Sequence, residues 1–199
     1  MDLFKPGPEA NLLPFDGTVN YHGAILTSTE ADAFMAFLTT GIPWENDITV
    51  MFGKRIVTAR KVAWFADGGA SYSYSGTTKQ ALPWTPELLR LRELATRHTG
   101  ATYNSCLLNL YHHGSEGMGW HSDDESTLVP GSSIAAISLG AERKFAFKHK
   151  RTKQTVSQTL ENGSLLDMRG DTQRNWHHQL PKTRRVTDPR ISLTFRLMA

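Results

Sequence analysis

From residue 105 onward the chain reads as a succession of short apolar runs broken by turn residues: CLLNLY, SIAAISLG, KFAFKHK, QTVSQTL, GSLLDMR and ISLTFRLM. Runs of this length, separated by Gly, Asn, Asp and Ser, are strands, and several in close succession pack as a sandwich or a barrel. The last is the most informative, because Ile191, Leu193, Phe195 and Leu197 alternate with Arg190, Ser192, Thr194 and Arg196. A period of two gives one apolar face and one face with guanidiniums flanking hydroxyls. The polar face is either a solvated edge or a surface turned toward a small dianion. Arginines six apart on a strand stand roughly 20 Å apart at the backbone, yet long side chains leaning inward can share a dicarboxylate.

The first half is organised differently. Residues 1 to about 23 are rich in proline, glycine and asparagine and form an irregular lead-in. A helix is expected over Ser28 to Thr39, capped by Ser28 or Thr29 and ended by Gly41 and Pro43. Ile48 to Asp67 mixes strand formers with Gly53 and basic side chains. Met51 and Phe52 before Gly53 are either an apolar hairpin tip able to wedge into a duplex or buried residues. In YSYSG, Tyr72 and Tyr74 share one side if extended, as aromatic faces of a lid or as packing tyrosines. Thr85, Pro86 and Glu87 start a second helix, with Leu88, Leu91, Leu94 and Ala95 as its buried stripe, and Gly100 stops it.

At 199 residues the chain fits one domain, alone or with an N-terminal extension. The formal charge of +3 permits an anionic partner without demanding one. Its distribution says more: Arg143 to Leu160 holds six Lys or Arg and no acid, which reads as a positive surface or a solvated strand and turn. A single cysteine, Cys106, rules out an intramolecular disulfide and suits a reducing compartment; it lies in an apolar run and reads as core. Neither a basic leader with an apolar stretch nor a bilayer-length apolar segment is present, so a soluble, cytoplasmic monomer is expected.

The chemistry concentrates in NLYHHGSEGMGWHSDDE, residues 109–125. His121 and Asp123, one residue apart, face the same side of an extended segment and can reach one ion, or else form a hydrogen-bonded loop pair. A further histidine would complete the two-histidine, one-carboxylate set that leaves iron(II) with open positions for oxygen chemistry. NWHHQLP offers His177 and His178, which face opposite ways on a strand.

The order NLY, HSDDE, FAFKHK, WHHQLP, PRISLTFR, with FGK and YSYSG upstream, resembles the AlkB family of iron(II) and 2-oxoglutarate dependent dioxygenases, in the branch that repairs alkylated nucleic acid. The likeness spans most of the chain. It implies a mainly β fold with flanking helices, a double-stranded β-helix or jelly-roll core over 101–199, and a nucleotide-recognition lid within residues 1–100, in one compact domain. It implies His121, Asp123 and His178 as iron ligands, since the family's ligand lies three residues before the proline of QLP. Asn109, Tyr111, Arg190 and Arg196 would hold 2-oxoglutarate, with Ser192, where some relatives have asparagine, and Thr194 beside them. Phe52, Arg60, Tyr72, Tyr74 and Glu125 would meet the substrate base. Arg143, Lys144, Lys148, Lys150, Arg151 and Lys153 would follow the nucleic-acid backbone.

The reaction implied is oxidative demethylation of N1-methyladenine and N3-methylcytosine in DNA, coupled to 2-oxoglutarate decarboxylation and releasing formaldehyde and succinate, with iron(II) and dioxygen required. Two rivals stand beside it: an RNA demethylase of the same mechanism, and a metal-stabilised nucleic-acid binding module without catalysis. A zinc hydrolase lacks its usual helical base next to the metal.

Overall fold

The computed structural model describes residues 7, 9–51, 54–69, 71–74 and 77–199, with backbone alone at 48–51, 54–56, 69, 71–74 and 77–79. Thirteen strands are described: β1 (Thr18–Ala24), β2 (Glu45–Met51), β3 (Lys54–Ala66), β4 (Ser71–Tyr74), β5 (Thr77–Gln80), β6 (Ser105–Tyr111), β7 (Met118–His121), β8 (Ile134–Gly140), β9 (Arg143–His149), β10 (Thr155–Leu160), β11 (Ser164–Arg169), β12 (Trp176–Leu180) and β13 (Arg190–Arg196). Three helices join them: α1 (Ser28–Gly41), α2 (Pro86–Thr99) and the short α3 (Thr172–Asn175). A seven-stranded sheet runs β1-β11-β8-β13-β6-β3-β2, and a four-stranded sheet runs β10-β9-β12-β7. The larger sheet therefore draws strands from both sides of residue 100.

Alternation divides the larger sheet's two faces. Ile191, Leu193 and Phe195 of β13 join Leu108 and Leu110 of β6 and Ile137 and Leu139 of β8 against Ala31, Phe34 and Leu38 of α1 and Leu88, Leu91 and Ala95 of α2. A second cluster, with Ile134, Ala136, Leu166 and Met168 meeting Phe147, Leu160 and Trp176, fills the space between the sheets. The polar face of β13 thus looks into the molecule, as the mainly β, jelly-roll reading requires. The cap of α1 differs from expectation: Thr27, not Ser28 or Thr29, accepts from Glu30 N while the Glu30 carboxylate takes the Thr27 N–H. Thr27 and Glu30, three places apart, close the reciprocal box. Thr85 caps α2, and Gly100 ends it at φ 70°, a left-handed turn suited to glycine.

Cys106 lies in this core, where burial pushes its thiol well above the usual range. Alkylation by iodoacetamide is expected to run at least ~100-fold slower in the native protein than in denaturant, because the thiolate forms only on local opening. Equal rates would place Cys106 at the surface.

Candidate metal and co-substrate centre

β7 and β12 pair so that His121 and His178 stand opposite each other, with ring centroids 4.2 Å apart. Asp123 follows β7 by two residues. One ligand atom from each of the three lies within 4.8 Å of the others. The imidazole Nε2 atoms of His121 and His178 stand 3.8 and 3.9 Å from Asp123 Oδ1, while Arg196 Nη2 holds Oδ2 at 2.8 Å. His121 Nδ1 donates to the Gly119 carbonyl at 2.8 Å, which leaves its Nε2 as the lone pair facing the cluster. Phe145 stacks on the His178 ring, centroids 5.4 Å apart. Two imidazole lone pairs and one free carboxylate oxygen converge, the donor set that suits iron(II). His177 faces the other way, its Nδ1 against Ser122 Oγ at 3.2 Å.

The charges favour ligation. Burial pushes Asp123 up, but Arg196 and then the two imidazoles outweigh it, so its carboxyl ionises below the ordinary range. Burial drives the His178 imidazole down to about 3, against the pull of Asp123 and with help from His121 and Arg196. It is neutral near pH 7, the form a metal needs. In an unfolded chain the same group protonates near 6.5, so between those limits the unfolded state binds more protons. The stability this group contributes is full above pH 6.5 and is lost as pH falls toward 3. Chelator-treated protein should lose Tm across this window, and His178→Gln should lose less. Equal slopes would show that His178 is not held neutral.

A cavity of about 920 Å³ opens between the sheets and is lined by this triad together with Asn109, Tyr111, Arg190, Ser192, Thr194 and Arg196. The β6–β13 register explains the gathering: Arg190 is opposite Tyr111 and Ser192 opposite Asn109, so all four project to one side. Arg190 is buried, donates from Nη2 to Ser138 Oγ at 2.9 Å and lies 5.7 Å from the Tyr111 ring centre. Burial lowers its guanidinium to about 10, with Tyr111 opposing and Arg143 adding, so it stays cationic at neutral pH. Its Nε has no hydrogen-bond partner, as expected of a group placed to receive an anion. The two arginines are not side by side: Arg196 serves the triad and also lies 3.6 Å from Glu125, whereas Arg190 sits with Tyr111.

Arg60 lines the same cavity, pairing with Asp47, touching Met118 Sδ at 2.8 Å and lying 6.0 Å from the Tyr111 ring centre. Asp47 went unseen in the sequence because nothing local marks an acid thirteen residues from its partner. Asp124 and Glu125 also reach the cavity. Phe52 lies outside the described residues, and of Tyr72 and Tyr74 only the backbone, paired in the β4–β5 ribbon, is described.

The basic stretch divides by strand parity. Lys144, Arg151 and Lys153 are exposed, and Lys148 lies 4.3 Å from the Trp120 ring centre. Lys150 Nζ donates to the Gln173 carbonyl at 2.9 Å. Arg143 corrects the expectation of a continuous positive surface: it is buried and its Nη2 donates to the carbonyls of Gly114, Glu116 and Pro181. It shares the inward parity of Phe145 and Phe147, which the count of basic residues ignored.

The sequence profile described as the 2OG-Fe(II) oxygenase superfamily matches residues 17–196. The chain belongs to this superfamily. Among relatives of this 2OG oxygenase, mouse DNA oxidative demethylase ALKBH2 is 44% identical over 154 residues, 73% of this chain and 64% of the relative. Human alpha-ketoglutarate-dependent dioxygenase alkB homolog 3 is 35% identical over 177 residues, 84% of this chain and 61% of the relative. These likenesses bear out the AlkB resemblance, and the chain spans about six tenths of those relatives' length. The solved structure of OsALKBH1 superimposes with a TM-score of 0.61 at 16% identity, covering 92% of this chain and 99% of that one, a likeness of fold. Iron(II), 2-oxoglutarate and dioxygen are the superfamily's requirements, and the His121, Asp123 and His178 donors fit the metal.

Proposed function

We propose that this chain oxidatively removes alkyl groups from ring nitrogens of DNA bases, with N1-methyladenine and N3-methylcytosine as substrates. The observation that carries the reading is one cavity lined both by a three-donor metal cluster and by a buried, cationic Arg190 with Tyr111. Such a lining suits a five-carbon diacid whose distal carboxylate rests on Arg190, Tyr111 and Asn109 while its keto-acid end lies toward His121, Asp123 and His178. Relatives named as DNA oxidative demethylases support the nucleic-acid substrate.

Bound iron(II) would supply the oxidation of 2-oxoglutarate to succinate and carbon dioxide and the insertion of oxygen into a C–H bond of the alkyl group. One oxygen atom of dioxygen ends in succinate and the other in the alkyl carbon. The hydroxylated carbon then leaves as formaldehyde: the C–N bonding pair stays on the ring nitrogen, which becomes neutral, and the hydroxyl proton is released. Arg196 keeps Asp123 ionised. Alkylation at these nitrogens makes the base cationic, so the acids lining the cavity, Asp47, Asp124 and Glu125, favour damaged over normal base. Lys144, Lys148, Lys150, Arg151 and Lys153 would take phosphates, and binding should weaken steeply with added salt.

The test supplies iron(II), 2-oxoglutarate and oxygen with matched methylated DNA and RNA oligonucleotides and follows succinate and formaldehyde. Stoichiometric release on DNA is expected. Faster turnover of RNA would move the substrate class, and DNA binding without succinate would leave a non-catalytic module.

A further inference from the structure

Asp123 lies beyond the end of β7, so no strand ladder fixes its backbone. Its N–H instead donates to the side-chain oxygen of Gln173 at 2.9 Å. Gln173 sits in α3, five residues before His178, and its side-chain nitrogen reaches Met168 Sδ at 3.5 Å. Its own carbonyl receives Lys150 Nζ at 2.9 Å, so the residue is tethered at three points. The neighbouring Ser122 hydroxyl donates to the Trp176 carbonyl at 3.0 Å, a second tie between the two ligand-bearing segments. Arg196 orients the Asp123 carboxylate; Gln173 locates the backbone from which that carboxylate springs.

We propose that Gln173 is a positioning residue for the metal centre, setting the place of Asp123 relative to His178 through the amide of Asp123. The proposal rests on the reading of these residues as metal ligands, but not on any particular substrate. A ligand on an irregular loop has several backbone conformations to choose from. One hydrogen bond from a residue on the segment that leads into the His178 strand removes that freedom and links the two ligands directly. Partners of this outer kind are typically worth about 10- to 100-fold in metal affinity.

The test measures cobalt(II) binding to the chelator-treated 199-residue chain by its visible spectrum, with no substrate or turnover involved. Gln173→Met keeps the length and the sulfur-facing packing but removes the acceptor, and should weaken cobalt about 10-fold or more. Gln173→Glu restores an acceptor at the same reach and should return affinity and spectrum to within about threefold of the parent. Parent-like binding by Gln173→Met, or a Gln173→Glu variant as weak as Gln173→Met, would overturn the proposal. Should Gln173→Met fail to fold, Gln173→Asn, one methylene too short to reach, takes its place with the same outcomes. A parent chain that binds cobalt yet demethylates nothing would sink the proposed reaction and leave this inference standing.

Discussion

Arg190→Met is expected to reduce kcat/KM for 2-oxoglutarate by about 10²- to 10³-fold, the roughly 3–4 kcal/mol lost when one partner of a buried, charge-assisted contact is removed. Metal binding should survive, because Arg190 sits with Tyr111 and Ser138 rather than with the triad. The sign of the stability change separates this from general damage. Without co-substrate, Arg190 is a buried cation held by a hydroxyl and an aromatic ring, and its lowered pKa records the strain of burial. Replacing it by an apolar side chain of similar length should leave the co-substrate-free Tm unchanged or raised. A variant with a lowered Tm and unaltered 2-oxoglutarate dependence would show that Arg190 serves the fold instead.

His178→Ala and Asp123→Ala should each cut succinate formation by at least ~10³-fold, since two donors hold iron poorly and every later step needs it. Anaerobic addition of iron(II) and 2-oxoglutarate should give the parent a visible charge-transfer band and neither variant any. A band persisting in both would relocate the metal. Asp123→Ala carries a second cost: Arg196, 11% exposed, loses its 2.8 Å partner while Glu125 lies farther off at 3.6 Å. Breaking a buried pair from one side should lower the stability of the metal-free protein by about 3 kcal/mol, readable by urea titration in chelator.

Much of the centre was legible because strand parity carries it. The spacing of His121 and Asp123, the alternation of β13, and the paired parity of Asn109 and Tyr111 each said which side chains share a face. The structure then joined those faces by register. Parity separates His177 from His178, with the family resemblance choosing between them, and it would have warned about Arg143, two places before Phe145 and four before Phe147 on the inward side of β9. Summing charge along the run lost that information. What stayed hidden was contact between distant segments. Asp47 meets Arg60 across a hairpin, and Gln173 meets Asp123 from fifty residues away; a glutamine in TQRN carries no local mark of either partner. The division of labour between the arginines was hidden too, since a strand of alternating residues has a direction but no label for which end lies near the metal.

The final strand places two unrelated demands on neighbouring residues. Odd-numbered positions 191 to 195 answer to the helices, and even-numbered positions 190 to 196 answer to the cavity. Thermal endurance and chemical selectivity can therefore drift independently within seven consecutive codons. A single-nucleotide insertion or deletion there forfeits both at once.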